Sequence, residues 1–190
     1  MRPPLSFVII GLWVAWMVYW FISSLKVKAT VRTESIASRA AHIVPLVVAG
    51  IVVMSRTRPW GVLFDPMLPE SLVTFWTGAA ILAAGLAFTV WARVYLGGNW
   101  SGLVTLKQDH ELIRGGPYAL VRHPIYTGVL VAFIGTAIAR NEWRGLLAVA
   151  IVFVALWRKL KLEERFLGDA FGESYSKYRA EVSALIPYLL

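Results

Sequence analysis

Cysteine is absent from the 190 residues, which removes disulfides, zinc–thiolate sites and cysteine nucleophiles from consideration. Charge is scarce as well: only 16% of the residues are Asp, Glu, Lys or Arg, while 58% are hydrophobic. A soluble domain of this length carries more charge, so the composition reads as an integral membrane protein. Acidic residues are the rarer sign, 11 against 19 basic, which leaves a net charge of +8. In a soluble protein that excess would suggest nucleic acid. Here the basic residues lie mainly between apolar runs, where the positive-inside asymmetry of membrane proteins accounts for them, so nucleic acid is not expected as a partner. With no repeat, low-complexity tract or soluble domain in view, residues 1–190 read as one polytopic domain.

What is present is a series of apolar runs. Residues 5–25 contain no charge over 21 positions, enough to span about 30 Å of hydrocarbon. This run lacks a basic lead beyond Arg2 and a small-residue cleavage site, so it reads as a span and not a signal peptide. Trp13, Trp16 and Trp20 share one of its faces, a stripe expected to pack or to anchor at the lipid interface. A basic loop with Lys26, Lys28, Arg32 and Arg39 leads into a second run, 40–54, which contains His42 near its start and Pro45. His42 is given no role. After a proline-marked loop comes the third span, 72–96, with small residues (Gly78, Ala79, Ala80, Ala83, Ala84, Gly85) at the spacing that lets helices approach closely. Arg93, near its end, reads first as a snorkelling side chain.

Residues 97–124 are too polar to cross. The Gly97-Gly98-x-x-x-Gly102 pattern follows no predicted strand and is rejected as a dinucleotide fingerprint. Two short apolar runs, 125–139 and 145–157, are each marginal for a crossing and read as a tight antiparallel hairpin. A charged, amphipathic tail follows. The expectation is an all-α integral membrane fold with about five transmembrane helices, a short C-terminal helical hairpin and a cytoplasmic amphipathic tail. Residues 1–96 would supply three N-terminal spans, and 97–190 the cofactor-binding and catalytic half. With the N-terminus outside, 14 of the 19 Lys and Arg fall on the inner side. The active site and the C-terminus are therefore expected on the cytoplasmic face.

Polar and ring-bearing side chains concentrate in residues 115–128, GGPYALVRHPIYTG. A residue before proline is pushed out of the helical region, and proline is well tolerated at a helix's first position, so Pro124 should open a helix with His123 extended before it. That places Arg122 and His123 beside the free N–H groups of a helix start, a setting that suits an anionic ligand group. The Gly115-Gly116-Pro117 turn should fold Tyr118 toward the same mouth. Downstream, Glu163 and Glu164 return to the same side of the membrane, with Glu164 read as a solvated charge.

Taken together, His110-x-Leu112, Gly116-Pro-Tyr118, Arg122-His123-Pro124-x-Tyr126-x-Gly128 and Glu163-Glu164-x-x-Leu167-x-x-x-Phe171-Gly172-x-x-Tyr175-x-x-Tyr178 resemble the isoprenylcysteine carboxyl methyltransferase family. The phospholipid N-methyltransferases share part of the pattern. The resemblance covers residues 91–187; the first three spans match only in being apolar. It implies S-adenosylmethionine as cofactor, held without a Rossmann-type glycine motif. The family's cofactor contacts would fall on His110, Glu111, Leu112 and Ile113, on Tyr118, on His123, Pro124, Ile125 and Tyr126, and on Glu163. Aromatic rings suit a sulfonium through cation–π attraction, and a carboxylate such as Glu163 can accept from the cofactor's ammonium or hydroxyls.

The acceptor implied is a lipophilic or lipidated molecule entering from the bilayer, with Lys159 and Arg93 as the residues that hold it. Where the family's carboxyl methyltransferases carry Arg, four residues before the first Glu, this chain has Lys159 with Arg158 beside it. Lysine keeps the charge and loses the two-pronged grip on a carboxylate. Other readings stay open: a phospholipid amine or thiol as acceptor, or a sterol-reductase-like enzyme using NADPH. The reductase should line its pocket with several basic side chains, and the central motif offers only Arg122. A transporter should place ionisable groups at mid-membrane, and none is found there.

Overall fold

The computed structural model describes residues 3–25, 30–55, 61–100, 105–107 and 111–189. Among the described residues six α-helices carry the fold: α1 (Pro3–Ser24), α2 (Ile36–Met54), α3 (Leu72–Leu96), α4 (Pro124–Arg140), α5 (Trp143–Phe171) and α6 (Glu173–Glu181). Serines open two of them. The Ser35 hydroxyl accepts from the Ser38 N–H at 3.2 Å, and Ser71 accepts from Val73 N–H at 3.1 Å, each satisfying a donor that a helix start leaves free. Pro45 lies inside α2, which continues through it to Met54. One element was not foreseen, a two-stranded antiparallel ribbon of β1 (Thr30–Thr33) and β2 (Thr105–Lys107), with Thr30 opposite Lys107 and Thr33 opposite Thr105.

Of these helices, α1, α2 and α3 are long and apolar enough to cross a membrane; α4, at 17 residues, is shorter. The expected hairpin forms. Asn141 takes the left-handed conformation (φ 54°), and α5 starts two residues later. α5 outruns its apolar stretch and continues unbroken to Phe171, so the charged segment foreseen as a separate tail is the same helix extended.

The most intimate helix pair is α3 with α4. A Cβ on Gly85 would stand 2.6 Å from the Ala132 nitrogen and 2.7 Å from the Gly128 carbonyl oxygen, and Gly78 faces Gly135 and Ala139 in the same way. Glycines seven residues apart on each helix thus let two backbones touch, which maximises van der Waals contact where no hydrophobic drive is available. α1 lies over this pair. Its Trp13 Nε1–H donates to Thr136 on α4 (3.0 Å) and its Trp16 Nε1–H to Thr89 on α3 (2.6 Å). The tryptophan stripe is therefore packing, with the indole N–H groups of Trp13 and Trp16 satisfied and Trp20 stacked on Trp16. α5 fits between α2 and α4 around Val53, Phe133, Val152 and Leu156.

At the end opposite the ribbon the connections are tied by polar contacts. Arg144 pairs with Glu142 at 2.5 Å, donates to the carbonyls of Val52 and Ser55, and lies over the Phe64 ring. Asn141 accepts from Leu68 N–H and donates to the Leu68 carbonyl.

Candidate active site

The start of α4 and the charged half of α5 meet beyond the apolar part of the bundle. His123 caps α4 in a non-helical conformation (φ −123°) and Pro124 is the first helical residue, as the spacing predicts. The free helix-start donors do not follow. Arg122 N–H donates to the Ser183 carbonyl (2.8 Å) and His123 N–H to that of Ala184 (3.0 Å), while the N–H groups of Tyr126 and Thr127 turn back to His123. The Thr127 hydroxyl also donates to Leu185 (2.7 Å). The C-terminal segment after α6 thus lies strand-like along the motif and consumes its donors.

Side chains, not backbone, make the site. The His123 and Tyr126 rings stack at 5.4 Å and 6°. Tyr126 Oη–H donates to Glu163 Oε1 at 2.5 Å, and His123 Nδ1 lies 3.6 Å from Glu163 Oε2. Lys159, one turn before Glu163 on the same face of α5, has its Nζ 3.9 Å from Glu163 Oε1 and 5.4 Å from the centre of the Tyr126 ring. On the far side of His123, Glu164 accepts from Arg122 through both Nε (3.0 Å) and Nη2 (2.5 Å) and lies 3.6 Å from His123 Nε2. Arg122 Nη1–H donates onward to the carbonyls of Val182 and Arg179.

His123 therefore sits between two carboxylates. Burial opposes its charge, but Glu163 and Glu164 outweigh burial and raise its pKa above the ordinary value. Burial pushes Glu163 up, and His123, Lys159 and Tyr126 more than compensate, holding it below the usual carboxylate range. Glu164 is likewise opposed by burial, yet His123 and Arg122 bring it down to about 2. Burial and the nearby Glu163 carboxylate push the Tyr118 phenol well above its usual value, so it stays a neutral donor.

Of the residues expected to form the site, Tyr118, His123, Pro124, Ile125, Tyr126, Lys159 and Glu163 gather in this region. Tyr118 is fixed from behind by Tyr178, whose hydroxyl donates to its carbonyl at 2.5 Å. His110 lies outside the described residues. Glu111 is exposed, Leu112 and Ile113 are half-buried, and among the described residues none of them bonds to the His123–Glu163 cluster. Arg93 is buried at the end of α3, where it spends Nη1 on the Gly97 carbonyl (2.8 Å) and Nη2 on that of Ser23 (2.5 Å) beneath the Trp100 ring. It ties α3 to α1.

Two groups were missed. Glu164 is buried and clamped rather than solvated. His42 and Glu34, at the start of α2, form a buried pair with Nε2 3.3 Å from Oε1. Helical spacing hinted at Glu164, since it falls on the buried stripe of α5 with Leu156 and Leu160.

Comparison with known proteins agrees with these motifs. The phospholipid methyltransferase family model matches residues 73–174. Protein-S-isoprenylcysteine O-methyltransferase of Schizosaccharomyces pombe is 35% identical over 104 residues, covering 52% of this chain and 43% of that protein. A probable protein-S-isoprenylcysteine O-methyltransferase of Oryza sativa subsp. indica is 29% identical over 133 residues, 67% of this chain and 68% of that one. Methanethiol S-methyltransferase of Mycobacterium tuberculosis is 34% identical over 146 residues, 70% of this chain and 56% of the relative. The chain thus spans between about two fifths and two thirds of the length of these curated relatives. All three are methyltransferases.

Proposed function

The chain belongs to the phospholipid methyltransferase family, and from that premise we propose that it is an S-adenosylmethionine-dependent membrane methyltransferase acting on a lipophilic acceptor drawn from the bilayer. The observation that carries this is the cluster of stacked His123 and Tyr126 rings against the Glu163 carboxylate. Its chemistry fits the cofactor: rings for the sulfonium, a carboxylate for the ammonium or ribose hydroxyls, and a buried His123 Nε2 that completes no hydrogen bond within the described residues. When bound, the cofactor supplies an electrophilic methyl group on a positively charged sulfur.

In this reading Glu163 and His123 hold the cofactor. Tyr118, Pro124, Ile125 and Tyr126 would add further contacts to it, and His110, Glu111, Leu112 and Ile113 are the remaining candidates. Lys159, poised over the Tyr126 ring, would meet the acceptor, and Arg93, which ties the end of α3 to α1, would contribute by fixing that end of the bundle. The chain's contribution to rate is then orientation and exclusion of water.

An ionised nucleophile needs no more than that. The first acceptor reading is the carboxylate of an isoprenylcysteine-like molecule, as the sequence motifs and two of the relatives suggest. The second is a thiol. It is supported by the methanethiol S-methyltransferase likeness and by Lys159 itself, whose point charge suits a sulfur anion as well as it suits a carboxylate.

A calorimetric titration of the purified protein with S-adenosylhomocysteine and, separately, NADPH tests the cofactor. The expected result is saturable binding of the first and none of the second. Binding of NADPH alone would replace this reading with a reductase.

A further inference from the structure

The site described so far uses nothing from α1 or α2, yet a buried titratable pair at the start of α2 lies close to it. Glu34 directly follows β1 and precedes the cap of α2, and His42 lies in the second turn of that helix; both side chains are 1% exposed. The imidazole Nε2 is 3.3 Å from Glu34 Oε1. A carboxylate favours the ring proton on the nearer nitrogen, Nε2, which leaves the lone pair on Nδ1. Neither ring nitrogen completes a hydrogen bond among the described residues: Nε2 stands at ion-pair distance from Glu34, and Nδ1 faces no partner.

A buried ring nitrogen without a partner costs stability, and each such case calls for an explanation. Closing the start of α2 does not supply one, because Ser35 already caps the helix. Placement does. Arg158 donates to the Ser38 carbonyl at 3.1 Å, one turn before His42, and so docks this face of α2 against α5. The charges of Lys159, Arg158 and Glu163 all act on His42, and that of Glu34 acts on the Tyr126 phenol. The pair therefore lies on the α2 side of the α5 segment that carries Lys159 and Glu163.

We propose that Glu34 and His42 are the proton-accepting part of the acceptor site, and that the acceptor is a lipophilic thiol. The proposal rests on the methyltransferase reading and goes further by naming the residues that take the acceptor's proton, which decides for the thiol over the carboxylate. A carboxylate arrives ionised and has no use for a base; a thiol must first lose its proton. In the step assigned here the S–H bond breaks, its electron pair stays on sulfur as the thiolate, and the proton forms an N–H bond at His42 Nδ1. The resulting imidazolium is balanced by Glu34, and the thiolate by the Lys159 ammonium, the arrangement that favours ionised sulfur. Glu34 is a positioning residue: its charge keeps the proton on Nε2 and leaves Nδ1 as the acceptor, the part a carboxylate plays in a Ser-His-Asp triad. The proton passes to solvent as the site empties.

The test uses the purified full-length chain with S-adenosylhomocysteine bound, so that no methyl transfer occurs, and decanethiol as probe. The thiolate is followed by its ultraviolet absorbance. The parent should develop the thiolate band. His42→Gln and Glu34→Gln should lose it, and Glu34→Asp should keep part of it. Undiminished affinity of these variants for S-adenosylhomocysteine shows that the fold and cofactor pocket are intact. With S-adenosylmethionine, thiol turnover in His42→Gln should fall about 100-fold or more. A His42→Gln variant that keeps both the band and the turnover overturns the proposal. So does a parent that methylates a prenylcysteine carboxylate and leaves decanethiol untouched, in which case the methyltransferase reading survives. A parent that binds no S-adenosylhomocysteine removes that reading and this one with it.

Discussion

His123 has a carboxylate on each side, and the two do different work. Glu163 takes its contacts from the chemistry-bearing groups Tyr126, His123 and Lys159. Glu164 takes its own from Arg122, which is itself pinned to the C-terminal segment. Glu163→Gln and His123→Ala should accordingly weaken S-adenosylhomocysteine more than tenfold by calorimetry, the ~1.5–3 kcal/mol of a charge-assisted bond lost in a buried pocket. Unchanged affinity in either variant would strip that residue of its role. For Glu164 the readout is stability. Its carboxyl titrates at about 2 against an ordinary 4.5, so the stabilisation is present above the ordinary value and drains as pH falls from 4.5 toward 2. The shift corresponds to about 3 kcal/mol. Thermal unfolding in detergent should show this acid loss in the parent, and Glu164→Gln should flatten it; identical profiles would show that the clamp adds nothing. Glu163 was legible in the sequence because it sits in a recognisable motif. Glu164 shares that motif and the buried stripe of α5, but its clamp was not legible, and neither was the burial of His42, because what closes over them is the docking of residues 179–185 and of the α2 start. Local spacing can mark a side chain as inward-facing, but the partners that clamp it lie far apart in sequence and no local pattern names them.

At the scale of elements, spans and caps were readable from apolar length and from Ser, Pro and Gly punctuation. Partnership was not. The small residues of α3 announced a close helix contact, but the matching Gly128 and Gly135 lay in a run assigned to a hairpin with α5, and α4 turns out to press hardest on α3. The ribbon escaped notice because three- and four-residue strands leave no periodicity to detect. The extension of α5 was missed for a related reason: a change from apolar to charged residues marks where a helix leaves lipid, not where it ends. The α3–α4 contact yields a paired prediction. A methyl group on Gly85 meets backbone atoms that cannot move independently of their helix, so Gly85→Ala should lower stability by about 1–3 kcal/mol through overpacking. Gly50, in α2, has open space at the same position, and Gly50→Ala should be neutral or slightly stabilising. Equal melting temperatures for the two variants in detergent would mean that the glycine contact is looser than described.

For the molecule as a whole, the connections between helices sort themselves into two sets, and this bears on topology independently of charge. The ribbon pairs Thr30 with Lys107, so the α1–α2 and α3–α4 connections lie at one end of the bundle. The bridge between Pro66 and Glu142 joins the α2–α3 and α4–α5 connections at the other. A membrane that crosses the bundle must therefore leave Thr30 and Lys107 together on one side, with Pro66 and Glu142 on the opposite side, whatever the absolute orientation. The charge distribution chooses between the two orientations. The side that carries the ribbon, His123 and the charged half of α5 holds 14 of the 19 Lys and Arg, and cytoplasmic loops are the ones enriched in these residues. Two of the few basic residues at the other end, Arg140 and Arg144, are paired with Glu142. Reporter fusions at Thr30, Pro66, Lys107 and Leu190 should then read inside, outside, inside and inside, which places the His123–Glu163 cluster within reach of a cytoplasmic cofactor. A reversed but still alternating pattern would overturn only the charge argument. Thr30 and Lys107 on opposite sides would contradict the ribbon itself, and a cytoplasmic signal at Pro66 alongside one at Thr30 would mean that α2 does not cross.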